Sequence, residues 1–169
     1  KGQYKASIRG LMQAKQDKAR KKGLVVPEWE DEKAFLSDPR ANPEVAWPLH
    51  LFDCCPISDG ASCLLLVAEE MARDFTDAPL HILGLGQGSG KGLHAKADLA
   101  CFEATQYAAE EAYGMAGIEP KDVQIAEVHD CFSIAEVIAS ESMGLCEKGH
   151  AREDIESGAW EQNGEMPIN

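Results

Sequence analysis

The densest group of potentially reactive side chains lies in the run Glu127–Ser133, which reads Glu-Val-His-Asp-Cys-Phe-Ser. An apolar stretch leads into His129, Asp130 and Cys131, and an apolar helical pattern follows. A histidine at a strand end can donate a hydrogen bond to a developing oxyanion or transfer a proton near neutral pH. The same residues also fit a core histidine with Cys131 as filler.

Cys131 and His129 could form a nucleophilic pair if the thiol and the imidazole lay within hydrogen-bond distance. Side chains this close in sequence rarely face each other. The negative charge of Asp130 also disfavours the thiolate form that a nucleophile needs. We therefore predict that Cys131 is structural and that the catalytic thiol lies elsewhere.

A second candidate is the glycine-rich segment Gly84–Gly92. It fails the dinucleotide pattern G-x-G-x-x-G, because Ser89 or Lys91 stands where the last glycine should be. It also fails the P-loop pattern, in which Leu85 would be glycine and Gly92 would be serine or threonine. The segment could let a substrate approach the backbone closely, or it could be a plain mobile connection. The candidate substrate-binding positions are Gly86, Gly88, Ser89 and Gly90.

Charge is distributed unevenly along the chain, whose formal net charge is −13. Residues 1–26 carry eight lysines and arginines against Asp17 alone. Such a basic segment can contact a polyanion, or it can be a solvated helix face. Nucleic acid is not a predicted ligand, because the strongly acidic remainder of the chain would repel phosphates.

The six cysteines are interpreted as reduced thiols of an intracellular protein. There is no C-x-x-C motif, and no histidine pair has metal-ligand spacing, so we predict no metal site. The cysteines are Cys54, Cys55, Cys63, Cys101, Cys131 and Cys146.

Helical and extended patterns alternate in the elements that must position these segments. A helix is predicted over residues 6–22, ended by Gly23, and residues 26–50 are expected to be an extended or irregular covering segment whose aromatic residues dock. Strands are predicted at 61–67, 79–85 and 123–128, and helices at 68–74, 97–113 and 132–143, with Gly144 ending the last. This order predicts an α/β layered fold with mainly parallel strands.

Length and composition agree with a globular chain. The 169 residues allow one domain or one domain with an appendage, and 44% hydrophobic with 27% charged residues excludes collagen-like, coiled-coil and wholly disordered classes. No apolar run approaches the roughly 18 residues of a membrane span. The chain begins with Lys1 and shows no signal peptide, so we expect a cytoplasmic location and a fragment of a longer protein.

Several motifs together carry a family resemblance. The run Glu127–Glu136, followed by Gly144-Leu145-Cys146, closely resembles the His-Asp-Cys-Phe segment of thiolases of the sterol carrier protein x type and their bacterial and archaeal acetyl-CoA acetyltransferase relatives. Phe52–Ala61 is similar to the family's Ser-Asp-Gly-Ala strand entry, and Ala112–Val123 to its helix-to-strand junction. Gly164–Asn169 resembles the segment before its glycine-rich catalytic loop. The match covers about residues 48–169.

The resemblance implies a thiolase-like layered fold that is incomplete in this chain. Two related α/β halves would stack in alternating layers, and this chain would hold the middle. Residues 1–50 would be a basic helix and a loop-domain segment. Residues 51–76 would be the last strand and helix of the N-terminal half, and residues 77–169 the first part of the C-terminal half.

The resemblance implies one catalytic residue here, His129, which takes the place that Asn holds in the Asn-Glu-Ala-Phe motif of other thiolases and contributes to the oxyanion hole. Asp130, Cys131 and Phe132 would support it. The glycine-rich segment would border the acyl group. The acylated cysteine, the Gly-His-Pro histidine and the Cys-x-Gly loop are absent from the sequence, so the isolated chain is predicted to be inactive. The residues expected to meet the CoA phosphates are Lys18, Lys21 and Lys22.

The implied function is part of an acyltransferase that forms or cleaves 3-ketoacyl-CoA, with a coenzyme A thioester as substrate and no covalently bound cofactor. One alternative is an aldolase-type relative acting on steroid side-chain CoA thioesters, and another is a non-catalytic scaffold subunit. The resemblance also implies a homo-oligomer, dimer or tetramer, and a possible zinc-ribbon and OB-fold partner protein.

Overall fold

A computed structural model describes residues 2–55, 57 and 59–169. Pro56 and Ser58 of the predicted strand-entry motif lie outside these described residues. The chain divides into two compact units. The first contains the residues before 57 together with Glu127–Val137 and Asn169, and the second contains Ile57–Ala126 and Ile138–Ile168.

The first unit begins with helix α1, Gly2–Lys21, which confirms the predicted N-terminal helix and starts four residues earlier. The helix ends where Gly23 adopts a φ of 65°. The Leu24 N–H then donates to the Ala19 carbonyl at 3.0 Å. A glycine in the left-handed region is a common way to satisfy the last carbonyls of a helix.

A second helix, α2, spans Glu32–Ser37 within the proline-containing segment, where an extended or irregular chain was expected. Asp31 caps it, because its carboxylate accepts a hydrogen bond from the Ala34 N–H at 2.7 Å. No proline lies between Pro27 and Pro39, so the prolines bound this helix rather than break it.

An aromatic cluster forms the core of the first unit. Phe35 is fully buried, with the Trp29 ring edge-on at 4.9 Å and the Phe52 ring at 5.6 Å between centroids. Ile8 of α1 packs in the same cluster. The expected docking of aromatic residues holds for Trp29 and Phe35, but it is wrong for Trp47, which is 83% exposed.

The two assigned strands of the described residues pair antiparallel in this unit. They are β1, Glu44–Ala46, and β2, Leu49–His50, and a 3₁₀ helix, Leu51–Asp53, follows at once. The buried Asn42 side chain links this region to α2, since its amide donates to the Leu36 carbonyl and its oxygen accepts from the Phe52 N–H, both at 2.9 Å.

The second unit is organised around helix α3, Glu103–Ala116. The predicted start near residue 97 is wrong. Asp98 instead accepts the Ala100 N–H at 2.8 Å in a local turn, and Leu99 is 65% exposed. The helix ends at Gly117, whose φ is 70°.

Helix α4, Ser133–Ser142, agrees with the predicted helix over 132–143, and Gly144 ends it with a φ of 72°. Its residues are divided between the two units. A further helix, α5, Ala151–Ser157, was not predicted, because its short and polar sequence carries no clear apolar period. Three short 3₁₀ helices complete this part of the chain: Glu69–Asp74, Leu93–Ala95 and Pro120–Asp122.

None of the three predicted strands is a strand in the described structure. Within the three predicted strand ranges, the pairing in the described residues is one parallel bridge, Ala126 with Ile168. Apolar side chains in these stretches face outward, as Leu64 (87% exposed) and Leu80 (99% exposed) illustrate. A strand exists only through hydrogen bonds to a neighbour, and residues 61–67 and 79–85 have no paired neighbour here. The chain is mixed helix and sheet, and mainly parallel layering stays a prediction.

The glycine-rich segment packs directly on α3. A Cβ atom at Gly84, Gly86 or Gly88 would lie 2.3, 1.9 or 2.0 Å from the carbonyl oxygen of a helix alanine. The alanines, in matching order, are Ala112, Ala108 and Ala104. Two residues of extended chain advance about as far as four helical residues, roughly 6 to 7 Å. Alternate glycines therefore meet successive turns of one helix face.

Candidate functional site

His129 is exposed and lies in the irregular stretch before α4. Ala126, three residues earlier, is in the parallel bridge with Ile168, and α4 begins four residues later at Ser133. His129 therefore follows an isolated bridge, rather than the predicted strand over 123–128, and precedes a helix. An exposed imidazole in this position is free to meet a ligand.

On its C-terminal side, the His129 segment is tied to residues 53–55. Cys54 and Phe132 form an antiparallel bridge, and the Cys55 N–H donates to the Cys131 carbonyl at 3.0 Å. Cys131 is half-buried, and its carbonyl is used in this pairing. This bond uses the backbone of residue 131, so the structural role of the Cys131 thiol stays a prediction.

The Asp53 carboxylate adds a hydrogen bond to the contact between residues 53–55 and the His129 segment. Its Oδ1 accepts a hydrogen bond from the Ser133 hydroxyl at 2.9 Å, and its Oδ2 accepts one from the His50 N–H at 2.8 Å. One carboxylate therefore links the turn after β2 to the first residue of α4. Sequence reasoning missed this pair, which lies 80 residues apart.

On its N-terminal side, the His129 segment is held by the segment 167–169. The Ala126 N–H donates to the Pro167 carbonyl at 3.0 Å, and the Val128 N–H donates to the Asn169 side-chain oxygen at 2.7 Å. Asn169 was part of a recognised motif, but its role was not predicted, because no local pattern signals a partner 41 residues away.

The inward face of α4 carries small residues and one carboxyl group. Ala135, Ala139 and Ser140 are buried, and Glu136 is only 5% exposed. Glu136 belongs to the motif that carries the family resemblance, but the sequence predicts no role for it. A buried carboxyl group requires hydrogen-bond or ionic partners, because burial without them is costly.

The remaining predicted site residues have varied settings. Asp130 is half-buried and Phe132 is 41% exposed. Within the second unit, Gly86 and Gly88 face α3, whereas Ser89 and Gly90 are exposed.

The predicted basic positions on and just after α1 are exposed. Lys18, Lys21 and Lys22 line one surface depression together with Asp17. Lys15 is already engaged, because its Nζ donates to the Ala41 carbonyl at 2.7 Å and lies 5.7 Å from the centre of the Phe35 ring.

A cavity of about 320 Å³ in the second unit was not predicted. Its wall includes Tyr113, whose hydroxyl donates to the Met143 carbonyl at 3.1 Å and whose pKa is raised by burial. At its rim, Lys148 forms an ion pair with Asp98. The cavity contains none of the predicted site residues. Other side chains in its wall are Cys101, Gln106, Glu110 and Glu141.

Cys146, the last cysteine of the recognised motif, lies in an unfavourable setting for a thiolate. Burial, followed by the charges of Glu141 and Asp154, raises its pKa to about 11. A thiol with such a pKa is almost entirely protonated near pH 7, so Cys146 is not a suitable nucleophile.

The described residues contain neither a cluster suited to a metal ion nor a helix suited to a membrane. Within 2–55, 57 and 59–169, no three His, Cys, Asp or Glu side chains are grouped so that they could hold a metal ion. In the same part of the chain, no helix combines the length and apolar character needed to cross a membrane.

Comparison with known proteins places these features in a family context. Residues 87–169 match the family described as thiolase C-terminal domain-like. Over 126 residues the chain is 43% identical to the acetyl-CoA acetyltransferase of Methanothermobacter thermautotrophicus, covering 74% of this chain and 33% of that protein.

An aldolase and a solved structure are also similar. Over 139 residues the chain is 32% identical to the steroid side-chain-cleaving aldolase of Thermomonospora curvata, covering 79% of this chain and 36% of that protein. A solved structure named Ltp2-ChsH2(DUF35) aldolase aligns with a TM-score of 0.72 and 31% identity, covering 79% of this chain and 36% of its own. The chain spans about a third of the length of these relatives.

Proposed function

The chain belongs to the thiolase superfamily, and from this premise we propose that it is the central part of an acyl-CoA acyltransferase. The enzyme would act on acetyl-CoA and 3-ketoacyl-CoA thioesters, by Claisen condensation or by thiolytic cleavage. The observation that carries the proposal is the exposed His129, held on both sides by hydrogen-bonded segments, within the region similar to an acetyl-CoA acetyltransferase.

In this proposal His129 donates a hydrogen bond to the thioester carbonyl oxygen. Negative charge develops on that oxygen when a nucleophile adds to the carbonyl carbon, and a fixed donor stabilises this charge more than it stabilises the neutral carbonyl. Asp130, Cys131 and Phe132 would support the imidazole by fixing the backbone around it. The acylated cysteine and the Gly-His-Pro histidine would come from segments that this sequence does not contain.

The exposed lysines Lys18, Lys21 and Lys22 are proposed to meet CoA phosphates. Their support is the shared surface depression and the concentration of positive charge in an otherwise acidic chain. The exposed Ser89 and Gly90 are the members of the glycine-rich segment that could still border an acyl group. The Cα atoms of Gly86 and Gly88 face α3, so these two residues could contact a substrate only with their backbone N–H and C=O groups.

An aldolase is the second candidate function, favoured by the similarity to a steroid side-chain-cleaving aldolase and to the solved aldolase structure. That structure's name includes a DUF35 protein. We therefore also propose a small zinc-ribbon and OB-fold protein as a partner, and a cytoplasmic homo-oligomer as the assembled enzyme. A scaffold subunit without catalysis is the remaining alternative.

Turnover of acetoacetyl-CoA tests these proposals. The full-length protein that contains this chain is expected to cleave acetoacetyl-CoA in the presence of CoA, whereas the isolated 169-residue chain is expected to show no turnover. Covalent catalysis needs the nucleophile, its base and the oxyanion donors together. The assay monitors the loss of acetoacetyl-CoA by absorbance and the formation of acetyl-CoA by mass spectrometry.

Three outcomes would change the assignment. Cleavage of a steroid side-chain CoA thioester by the full-length protein, without acetoacetyl-CoA turnover, would select the aldolase. Inactivity toward both substrates would select the scaffold, and turnover by the isolated chain would contradict the predicted need for the missing motifs.

A dephospho-CoA thioester, which lacks the 3′-phosphate, tests the proposed contact with Lys18, Lys21 and Lys22. In the same assay this substrate should have a higher KM than the normal CoA thioester if the lysines meet the 3′-phosphate. An unchanged KM would reject that contact.

Cys131 should not be the acylated residue. In the full-length enzyme, an alkylating acyl-CoA analogue is expected to label another cysteine, and Cys131→Ala is expected to retain kcat within about threefold, because the carbonyl of residue 131 still accepts from the Cys55 N–H. Peptide mass spectrometry identifies the labelled residue. This assignment would be reversed if the analogue labels Cys131 and excess acetyl-CoA prevents that labelling.

A further inference from the structure

The backbone before His129 ends its pairing on a side chain instead of on a main-chain carbonyl. Ala126 is bridged in parallel to Ile168, and its N–H donates to the Pro167 carbonyl at 3.0 Å. In a regular parallel ladder the next N–H on that edge, the Val128 N–H, would donate to the main-chain carbonyl of residue 169. In the structure it donates to the side-chain Oδ1 of Asn169 at 2.7 Å.

Asn169 also has an uncommon backbone conformation. Its φ is 58°, and no other non-glycine residue of the described chain has a positive φ. Asparagine tolerates this left-handed conformation better than most residues. The side-chain amide oxygen of Asn169 is the acceptor for the Val128 N–H.

The segment around His129 is thus fixed at both ends. Val128 directly precedes His129 and is held by Asn169, whereas Ser133 begins α4 and is held by Asp53 at 2.9 Å. Between these points the Cys131 carbonyl accepts the Cys55 N–H. Of these three bonds, the one from Val128 to Asn169 lies nearest to His129 along the chain.

We propose that Asn169 is a positioning residue for His129, acting through the hydrogen bond from the Val128 N–H to its Oδ1. The inference rests on the proposed function, because it assumes that His129 donates to an oxyanion. Such a donor acts only within about 2.7 to 3.1 Å of the oxygen it stabilises. A displacement of about 1 Å at an active site can cost roughly 100-fold in rate. A hydrogen bond on the residue next to His129 therefore affects the rate by fixing the position of the imidazole relative to the oxyanion.

Two substitutions separate the acceptor from the backbone conformation. Asn169→Gly keeps the left-handed φ accessible and removes the acceptor, whereas Asn169→Asp keeps an acceptor oxygen at the same place. In the full-length enzyme we expect Asn169→Gly to lower kcat about 10- to 100-fold, with KM for acetoacetyl-CoA changed less than about twofold. Asn169→Asp should retain kcat within about threefold. Equal losses in both variants would overturn the proposal.

A double mutant tests whether the effect passes through His129. Adding Asn169→Gly to His129→Ala should cause no further loss of kcat, because the residue being positioned is gone. Two outcomes would overturn the positioning role and leave the proposed function intact. In the first, the losses of kcat from the two single substitutions multiply in the double mutant. In the second, Asn169→Gly has the wild-type kcat although His129→Ala is slow. Wild-type kinetics of His129→Ala alone would overturn the oxyanion assignment, and the positioning role with it.

Amide hydrogen exchange gives a readout that does not depend on turnover. The Val128 amide should exchange at least about tenfold faster in Asn169→Gly than in the wild type, and it should stay protected in Asn169→Asp. An unchanged exchange rate in Asn169→Gly would overturn the proposal. If Asn169→Gly does not fold, the same comparison is made with Asn169→Ser, whose shorter side chain removes the amide oxygen, and the same two outcomes decide.

Discussion

Replacing His129 with alanine in the full-length enzyme is expected to lower kcat by about 10² to 10³, the usual loss when one oxyanion donor is removed. The imidazole is exposed, so its removal creates no internal cavity and should leave the melting temperature nearly unchanged. KM should change little, because the donor acts on charge that develops only in the transition state. The measurement is steady-state cleavage of acetoacetyl-CoA, with circular dichroism to verify folding.

Two further variants sharpen this prediction. His129→Asn keeps a hydrogen-bond donor of the kind that other thiolases use in this position by resemblance, so it should recover part of the lost rate. His81→Ala is a matched control, since His81 is also exposed but lies in the second unit, and it should have wild-type kinetics. Wild-type turnover by His129→Ala would remove His129 from the mechanism.

Replacing Gly86 with alanine is expected to lower the free energy of unfolding by about 3 kcal/mol or more, at or beyond the upper end of the usual cost of overpacking. The added Cβ would lie 1.9 Å from the Ala108 carbonyl oxygen and 2.8 Å from its carbonyl carbon. Both are backbone atoms of α3, so no rotamer change can relieve the contact. The segment and the helix must move apart, and the alternate contacts at Gly84 and Gly88 would be lost together with this one.

Two other glycines provide controls for Gly86→Ala. Gly114 lies in α3 and has nothing within 4 Å of the position that an added methyl group would take, so Gly114→Ala should stabilise the protein by up to about 1 kcal/mol through helix propensity. Gly92 also has open space around its Cα, and Gly92→Ala should be nearly neutral. Urea unfolding of the three variants gives the comparison. A Gly86→Ala protein as stable as Gly92→Ala would show that the segment does not rest on α3 in solution.

The same contacts change the interpretation of the glycine-rich segment. Its composition indicated a close approach to a ligand or a mobile connection, and neither idea required an internal partner. Alternate glycines facing Ala104, Ala108 and Ala112 supply that partner. Whether Ser89 and Gly90 also meet an acyl group remains a prediction that the turnover of Ser89 variants can test.

Features that depend on neighbours along the chain were predictable from the residues alone. Helices α1 and α4 were predicted close to their observed bounds, because helix hydrogen bonds join residues only four apart and Gly23 and Gly144 end them locally. The ordered motifs around His129 were sufficient to identify the superfamily. Local signals that were overlooked, such as the Asp31 cap of α2, explain the missed helix in the proline-containing segment.

Tertiary contacts decide which distant residues hold the segment around His129 and which strands form. The bonds from Val128 to Asn169 and from Ser133 to Asp53 join residues 41 and 80 positions apart. Side-chain hydrogen bonds of this kind leave no periodic pattern, because they depend on where two separate backbones meet. Strand formation has the same dependence. The apolar stretches at 61–67 and 79–85 carry the composition of strands, but a strand requires a neighbour to accept and donate its hydrogen bonds, and that neighbour is a property of the folded assembly rather than of the stretch.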